Sequence, residues 1–222
     1  MRFSKRRARS RVIHPPGLLQ RLTEAIRGRE QLLVRPIQEF PLLLLTYPRG
    51  KQWVAQQIET AYAHTLPALP ANLTKPYVDR FRTLPALVVV LLRARNPCGC
   101  LGHFHPPGTE SRLTRRLSGE LGSSVAEIDL AYEEIRNWDP APISRLAASH
   151  MGAALAELRF EAALLAVLLH ELHHLAAPEE PEREIRPLSN HFYSSVVQEF
   201  VKRESGQDYG MTDAHQERPS GG

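Results

Sequence analysis

Apolar positions along the chain follow two rhythms, one of about three to four residues and one of near-continuous short runs. Leu18, Leu19, Leu22, Ala25 and Ile26 recur at helical spacing, so a first amphipathic helix is expected from Pro16 to about Arg29. Leu42 to Tyr47 is a short apolar run between Pro41 and Pro48-Arg49-Gly50, the pattern of a strand. Trp53, Val54, Gln57, Ile58, Ala61 and Tyr62 predict a second helix, stopped by Pro67 and Pro70. The Pro-punctuated stretch up to Pro76 reads as a loop that bounds an N-terminal part. Ala86 to Ala94, rich in Val and Leu, predicts a buried strand, and Asn96-Pro97 with Gly99 turns it into Cys98 to His105. If that piece is extended, His103 and His105 share a face. Pro106-Pro107-Gly108 closes it, and a polar, Gly-bearing loop is expected next.

Ala126 to Ile135 carries both rhythms. Ile128, Leu130 and Tyr132 alternate as in a strand, while Ile128, Ala131 and Ile135 suit a helix, and a strand is favoured at its start. After Trp138 to Pro142 comes a long helical region, broken at Gly152 if anywhere and ended by Pro178. Ile185, Leu188, Phe192, Val196 and Phe200 mark the inward face of a last helix, whose start Pro187 should kink or delay. The elements predict an α+β fold, a small mixed or antiparallel sheet packed on helices. The expected division is a basic disordered arm (1–12), a single domain (13–204) and a disordered tail (205–222). Within the domain, 13–76 is the N-terminal helical part and 77–204 the core.

Composition narrows the classes without choosing one. With 222 residues, 42% hydrophobic and 23% charged, the chain can bury a sizeable core, and no apolar run is long enough to span a bilayer. The basic N-terminus lacks the apolar core of a signal peptide, so a cytoplasmic location is the expectation. The net charge is +4, with Arg2, Lys5, Arg6, Arg7, Arg9 and Arg11 crowded into the arm, where weak nucleic-acid contact is conceivable and simple solvation the commoner outcome. The two cysteines, Cys98 and Cys100, are separated by one glycine, which suits a metal or a thiol pair better than a structural disulfide.

The chemistry concentrates at His170-Glu171-Leu172-His173-His174, the polar end of the most hydrophobic helix. On a helix, His170 and His174 stand one turn apart on one face with Glu171 beside them, the arrangement by which zinc hydrolases hold their ion. Leu164, Leu165, Val167, Leu168, Leu169, Leu172 and Leu175 surround the motif, so its polar groups are costly unless something satisfies them. A bound metal or a hydrogen-bonded structural cluster would each do so. His173 is a quarter turn off the ligand face and is expected to be a supporting or surface residue.

An apolar strand, a Gly-containing extended stretch, an Ile-x-Leu strand and a long helix ending in His-Glu-x-x-His resemble the zincin metallopeptidases, in the compact style of SprT-like and ImmA/IrrE-like proteins. The order of elements from roughly Leu84 to Val201 carries the resemblance, and His170 to His174 are its specific residues. It implies zinc on His170 and His174, Glu171 as the general base of a metallopeptidase acting on peptide or protein substrates, and a third protein ligand downstream. Metzincins place that ligand six residues beyond the second His, where Glu180 stands, but with Ala177 in place of their Gly. SprT-like proteins use a His near the next helix start, which His191 followed by Phe192 imitates. A gluzincin-like Glu is the third choice: in a helix starting near Pro181, Glu182 shares the inward face of Ile185, Ser189 and Phe192. Glu182 is preferred over Glu180 and His191.

Cys98, Cys100, His103 and His105 are four more candidate zinc ligands within eight residues, or the rim of the substrate cleft. A single loop seldom wraps one ion so tightly. Gly99-Cys100-Leu101 also matches a peptide deformylase segment, without the glycine-rich motif of that family. Tyr193 and Arg186 are candidate oxyanion donors, with packing and pairing to a neighbouring glutamate as their simpler roles. The competing function is a noncatalytic zincin-like domain that binds a protein or nucleic-acid partner.

Overall fold

The computed structural model describes residues 17–27, 33–36, 43–47, 52–61, 77, 80, 84, 87–106, 108–138 and 145–205. The expected arm and C-terminal tail lie outside these residues, apart from Ser205, which ends the last helix. The fold is α+β. Helix α1 (Leu18–Ile26) precedes strands β1 (Leu33–Pro36) and β2 (Leu43–Tyr47), then helix α2 (Gln52–Thr60) and strands β3 (Leu87–Arg93) and β4 (Gly102–His105). Helix α3 (Arg112–Leu121), strand β5 (Ala126–Ala131) and helices α4 (Tyr132–Asn137), α5 (Arg145–Ala176) and α6 (Glu182–Ser205) complete it.

The five strands form one mixed sheet in the order β1-β2-β3-β5-β4. β2, β3 and β5 run parallel, while β1 and β4 pair antiparallel at the two edges. The part before residue 76 is therefore neither purely helical nor separate from the core, because Leu43 to Tyr47 pair with Leu87 to Leu91. Pro36 is tolerated in β1 because an edge strand can spare a backbone donor.

β3 is buried on both faces, which explains its unbroken apolar run. Val88, Val90 and Leu92 join Ile128 and Leu130 of β5 under α5, with α2 and α6 in the same core. Leu87, Val89 and Leu91 face the other way, against Leu22 of α1 and Leu117 and Leu121 of α3. Ala162 to Leu169 of α5 is buried throughout, so the motif helix is a core element and its end is held firmly against the sheet. Gly152, at φ 48°, interrupts α5, as its position in the sequence suggested.

Three expectations need correction. The polar stretch after Gly108 is not a loop: α3 forms there, with Ser111 capping the Thr114 N–H and Gly122 in the left-handed conformation ending it. Cys98 to Leu101 is a turn rather than extended chain, and only Gly102–His105 is a strand. By contrast, Ala126 to Ile135 does begin as the favoured strand, β5, and then passes into α4, so each of its rhythms holds over one half. Pro187 does not delay the last helix, which begins at Glu182 and carries Pro187 inside it.

α3 is tied to the sheet by a buried carboxylate. Glu127 of β5, with no solvent exposure, accepts the Ser111 N–H at 3.0 Å and the Ser111 hydroxyl at 2.5 Å, and also bonds to the Thr114 hydroxyl. Ser111→Ala removes both the cap and one of these donors and is expected to cost about 1–3 kcal/mol. Urea unfolding monitored by circular dichroism measures the loss.

Candidate metal centre

At its C-terminal end α5 presents His170 and His174 one turn apart, their rings 4.8 Å apart between centroids. Pro178 then stops the helix, and a tight turn through residues 177–181 starts α6 at Glu182. Within that turn the Ala177 N–H bonds to His173 O at 2.8 Å and the Glu180 N–H to Ala177 O at 3.1 Å. The outcome is a triangle of donors: His170 Nε2, His174 Nε2 and Glu182 Oε2 are separated by 3.1, 3.0 and 3.1 Å. Glu182, chosen from the sequence by its face, is the acidic residue brought to the two imidazoles. Glu180 and His191 are not in the group: Glu180 pairs with His173, and His191 is exposed on α6.

Hydrogen bonding sets the proton on His170. Ser189 donates its hydroxyl proton to Arg186 O at 3.0 Å, so at 3.2 Å from His170 Nδ1 it can only accept, which puts the ring proton on Nδ1. The Nε2 lone pair of a neutral ring then faces the Glu182 carboxylate. Burial lowers the His170 pKa, Glu182 partly opposes this and His174 adds to it, which favours the neutral ring. A single proton on His174 Nε2 cannot satisfy both neighbours, whereas a cation among the three donors can. Glu182 is itself shifted: burial pushes its carboxyl up, but His170 and hydrogen bonds from Arg186 and His174 outweigh this and leave its pKa lowered.

Glu171 projects beside this triangle and is almost fully buried. Its Oε2 accepts the Phe104 N–H of β4 at 3.1 Å. Burial, opposed by the Phe104 hydrogen bond and aided by the nearby Glu182, pushes its pKa up to about 8. Gly102, also on β4, makes room: a Cβ there would stand 2.5 Å from Glu171 Oε1 and 2.6 Å from Cγ. Phe104 stacks on the His174 ring, 5.5 Å between centroids and 14° between planes. A cavity of about 670 Å³ opens over these groups, lined also by Trp138, Arg186 and the chain from Gly99 into the start of β4 at His103. The positioning roles of Gly102, Ser189 and Phe104 had no local signal in the sequence.

Of its two expected places, His173 takes the supporting one. It is fully buried, and its Nε2 lies 2.7 Å from Glu180 Oε2, with Arg80 on the other Glu180 oxygen at 3.4 Å. This pairing anchors the turn that delivers Glu182. Tyr193 is buried against Trp138 and takes a hydrogen bond from Arg159 Nε, a packing role. Arg186 lines the cavity and pairs with Glu182 Oε1 at 2.9 Å.

The four upstream candidates are not gathered into one site. Cys98 and Cys100 are joined through their sulfurs, against the expectation from their spacing, because Gly99 at φ 69° folds the chain back and leaves their Cα atoms 5.3 Å apart. His103 stands close to the two sulfurs, but His105 turns to Glu127 and Asp129, 3.5 and 3.4 Å away. That last cluster has protein partners of its own, Arg93 on Asp129 at 2.6 Å and the α3 cap on Glu127. Comparison of the chain with known protein families, curated proteins and solved structures finds no match.

The raised pKa of Glu171 has a measurable consequence in chelator-treated protein. The folded state keeps this proton up to about pH 8, whereas the unfolded chain releases it near the ordinary carboxylate value of 4.5. Between those values the folded state binds more protons, so the contribution of Glu171 to stability falls as pH rises from 4.5 to 8. Thermal midpoints measured across that window are expected to decline more steeply in the wild type than in Glu171→Gln.

Proposed function

We propose that this chain is a zinc-dependent hydrolase, with peptide bonds as its substrate class. The observation that carries the reading is the convergence of His170, His174 and Glu182 within 3.1 Å of one another, next to a buried carboxylate in an open cavity. Two imidazoles and a carboxylate are a catalytic zinc donor set, and tetrahedral bonds of about 2.0–2.2 Å place neighbouring donors about 3.3 Å apart. The measured separations fit that edge, and the opposed lone pairs of His170 and Glu182 are a reason for a cation to sit there. Zinc, when bound, supplies Lewis acidity to a carbonyl and to water.

The chain's own residues do the remaining work. With a cation on the neighbouring donors to counter the burial that raises its pKa, Glu171 would take the proton of the attacking water and return it to the leaving amine. The Phe104 N–H holds that carboxylate on the β4 side of the cavity, and Gly102 leaves space for it. Ser189 orients His170, and Arg186 orients Glu182 while its guanidinium borders the cavity. β4 is the outermost strand on this side of the sheet, so an extended peptide can approach its main chain from the cavity. Among the described residues no helix is long and apolar enough to cross a membrane, and a cytoplasmic setting belongs to the same proposal.

Zinc analysis and peptidase assays test the reading together. Wild-type protein is expected to carry zinc, His170→Ala and His174→Ala to lose it, and Glu171→Gln to keep it while turnover falls about 10²–10⁴-fold. Wild-type protein that takes up no zinc at His170 and His174 ends this reading. Full zinc occupancy with a silent Glu171→Gln points instead to a noncatalytic zincin-like binding domain.

Gly102→Ala tests the close approach separately. The added methyl displaces the Glu171 carboxylate, so kcat is expected to drop at least about tenfold while zinc content stays at the wild-type level.

A further inference from the structure

Beside the cavity, the turn from Asn96 to His103 holds a second set of donors that the proposed hydrolase does not use. We propose that Cys98, Cys100 and His103 form a redox-gated site for a thiophilic d10 cation, zinc in the first place, at the rim of the cavity. This inference stands independently of the one built on His170 and His174.

Geometry comes first. The two sulfurs and a His103 ring nitrogen all lie within 4.8 Å of one another, and Cys98 and His103 are exposed while Cys100 is half-buried. His103 has no hydrogen-bond or ion-pair partner among the described residues; its ring only borders those of Phe104 and His105, at 6.3 and 5.0 Å. Zinc–sulfur bonds of about 2.3 Å place two thiolates about 3.8 Å apart. That separation is open to side chains whose Cα atoms stand 5.3 Å apart.

The turn is also built to stabilise negative sulfur. The Cys100 N–H donates to Cys98 Sγ at 3.4 Å, and the Asn96 side-chain amide stands 4.0 Å from Cys100 Sγ. Hydrogen bonds to sulfur favour the thiolate, the form that binds metal. Asn96 is itself buried and fixed, its Nδ2 donating to Cys100 O at 3.0 Å and its backbone carbonyl accepting the Gly99 N–H at 3.0 Å. By contrast, the His105, Glu127 and Asp129 cluster has its charges met by Arg93, Ser111 and Thr114, so it does not call for an ion.

With the sulfurs joined, neither is a thiolate and the site is closed. A dithiol reductant donates two electrons and two protons to the Cys98–Cys100 bond, becoming a cyclic disulfide and leaving two thiols. Each thiol then gives up its proton as it binds the cation, so loading releases two protons in all. Cys100 and His103 line the cavity, so reduction and loading change the chemistry of its mouth.

Cobalt titration of the full-length chain tests this, because thiolate-to-cobalt charge transfer in the near ultraviolet reports sulfur ligation that His170, His174 and Glu182 cannot give. Dithiol-reduced protein, freed of reductant without air, is expected to show the band and to lose it when zinc is added. Oxidised protein and Cys98→Ser/Cys100→Ser should show none, and His170→Ala/His174→Ala should keep it. His103→Ala should weaken cobalt binding about tenfold or more. Absence of the band in reduced wild type overturns the site, and unchanged affinity in His103→Ala overturns the three-donor assignment.

Discussion

The triangle of His170, His174 and Glu182 depends on the length of one turn. Between the last residue of α5 and the first of α6 lie only residues 177–181, so the end of one helix and the beginning of the next cannot separate. Each contributes what its position offers: α5 gives two imidazoles a turn apart, and α6 gives a carboxylate from its first turn, where the helix dipole also favours negative charge. The burial of His173 against Glu180 sets the path of the connection. Without that lock, Glu182 would be one of several acidic residues in a solvated loop. With it, Glu182 Oε2 lies within hydrogen-bonding distance of both rings.

The sheet supplies the second half of the arrangement. β3 and β5 form an apolar floor on which α5 lies, and this fixes the height at which the motif emerges. β4 then runs along the open side, bringing one glycine and one backbone donor to Glu171. The carboxylate is buried and held by a neutral amide rather than an arginine. Burial therefore dominates its pKa, and it is poised near neutrality instead of being locked in the ionised form.

What could be read from the sequence was local or periodic. The motif helix, its break at Gly152, the buried β3 and the inward face that selects Glu182 all follow from spacing along one element. Three of the failures share a cause, which is distance along the chain, whereas the Cys98–Cys100 bond turns on the local fold at Gly99. α3 shows only Leu113, Leu117 and Leu121 among Arg, Thr and Ser, and is secured by Glu127 of the following strand. The demand for glycine at 102 comes from a side chain 69 positions later. His105 looked like a partner of His103 because both lie on one face of β4; Glu127 and Asp129, which claim it, belong to the neighbouring strand. The expected arm, and any contact it makes with nucleic acid, falls outside the described residues.

The bond between the Phe104 amide and Glu171 ties this buried carboxylate to the margin of the sheet. A strand of four residues, paired on one side only, is the kind of element that opens first in local unfolding. Each such opening would free the carboxylate from its anchor and let water reach it, returning it to an ordinary acid. Closure of this margin is therefore what keeps the carboxylate away from its ordinary acidity.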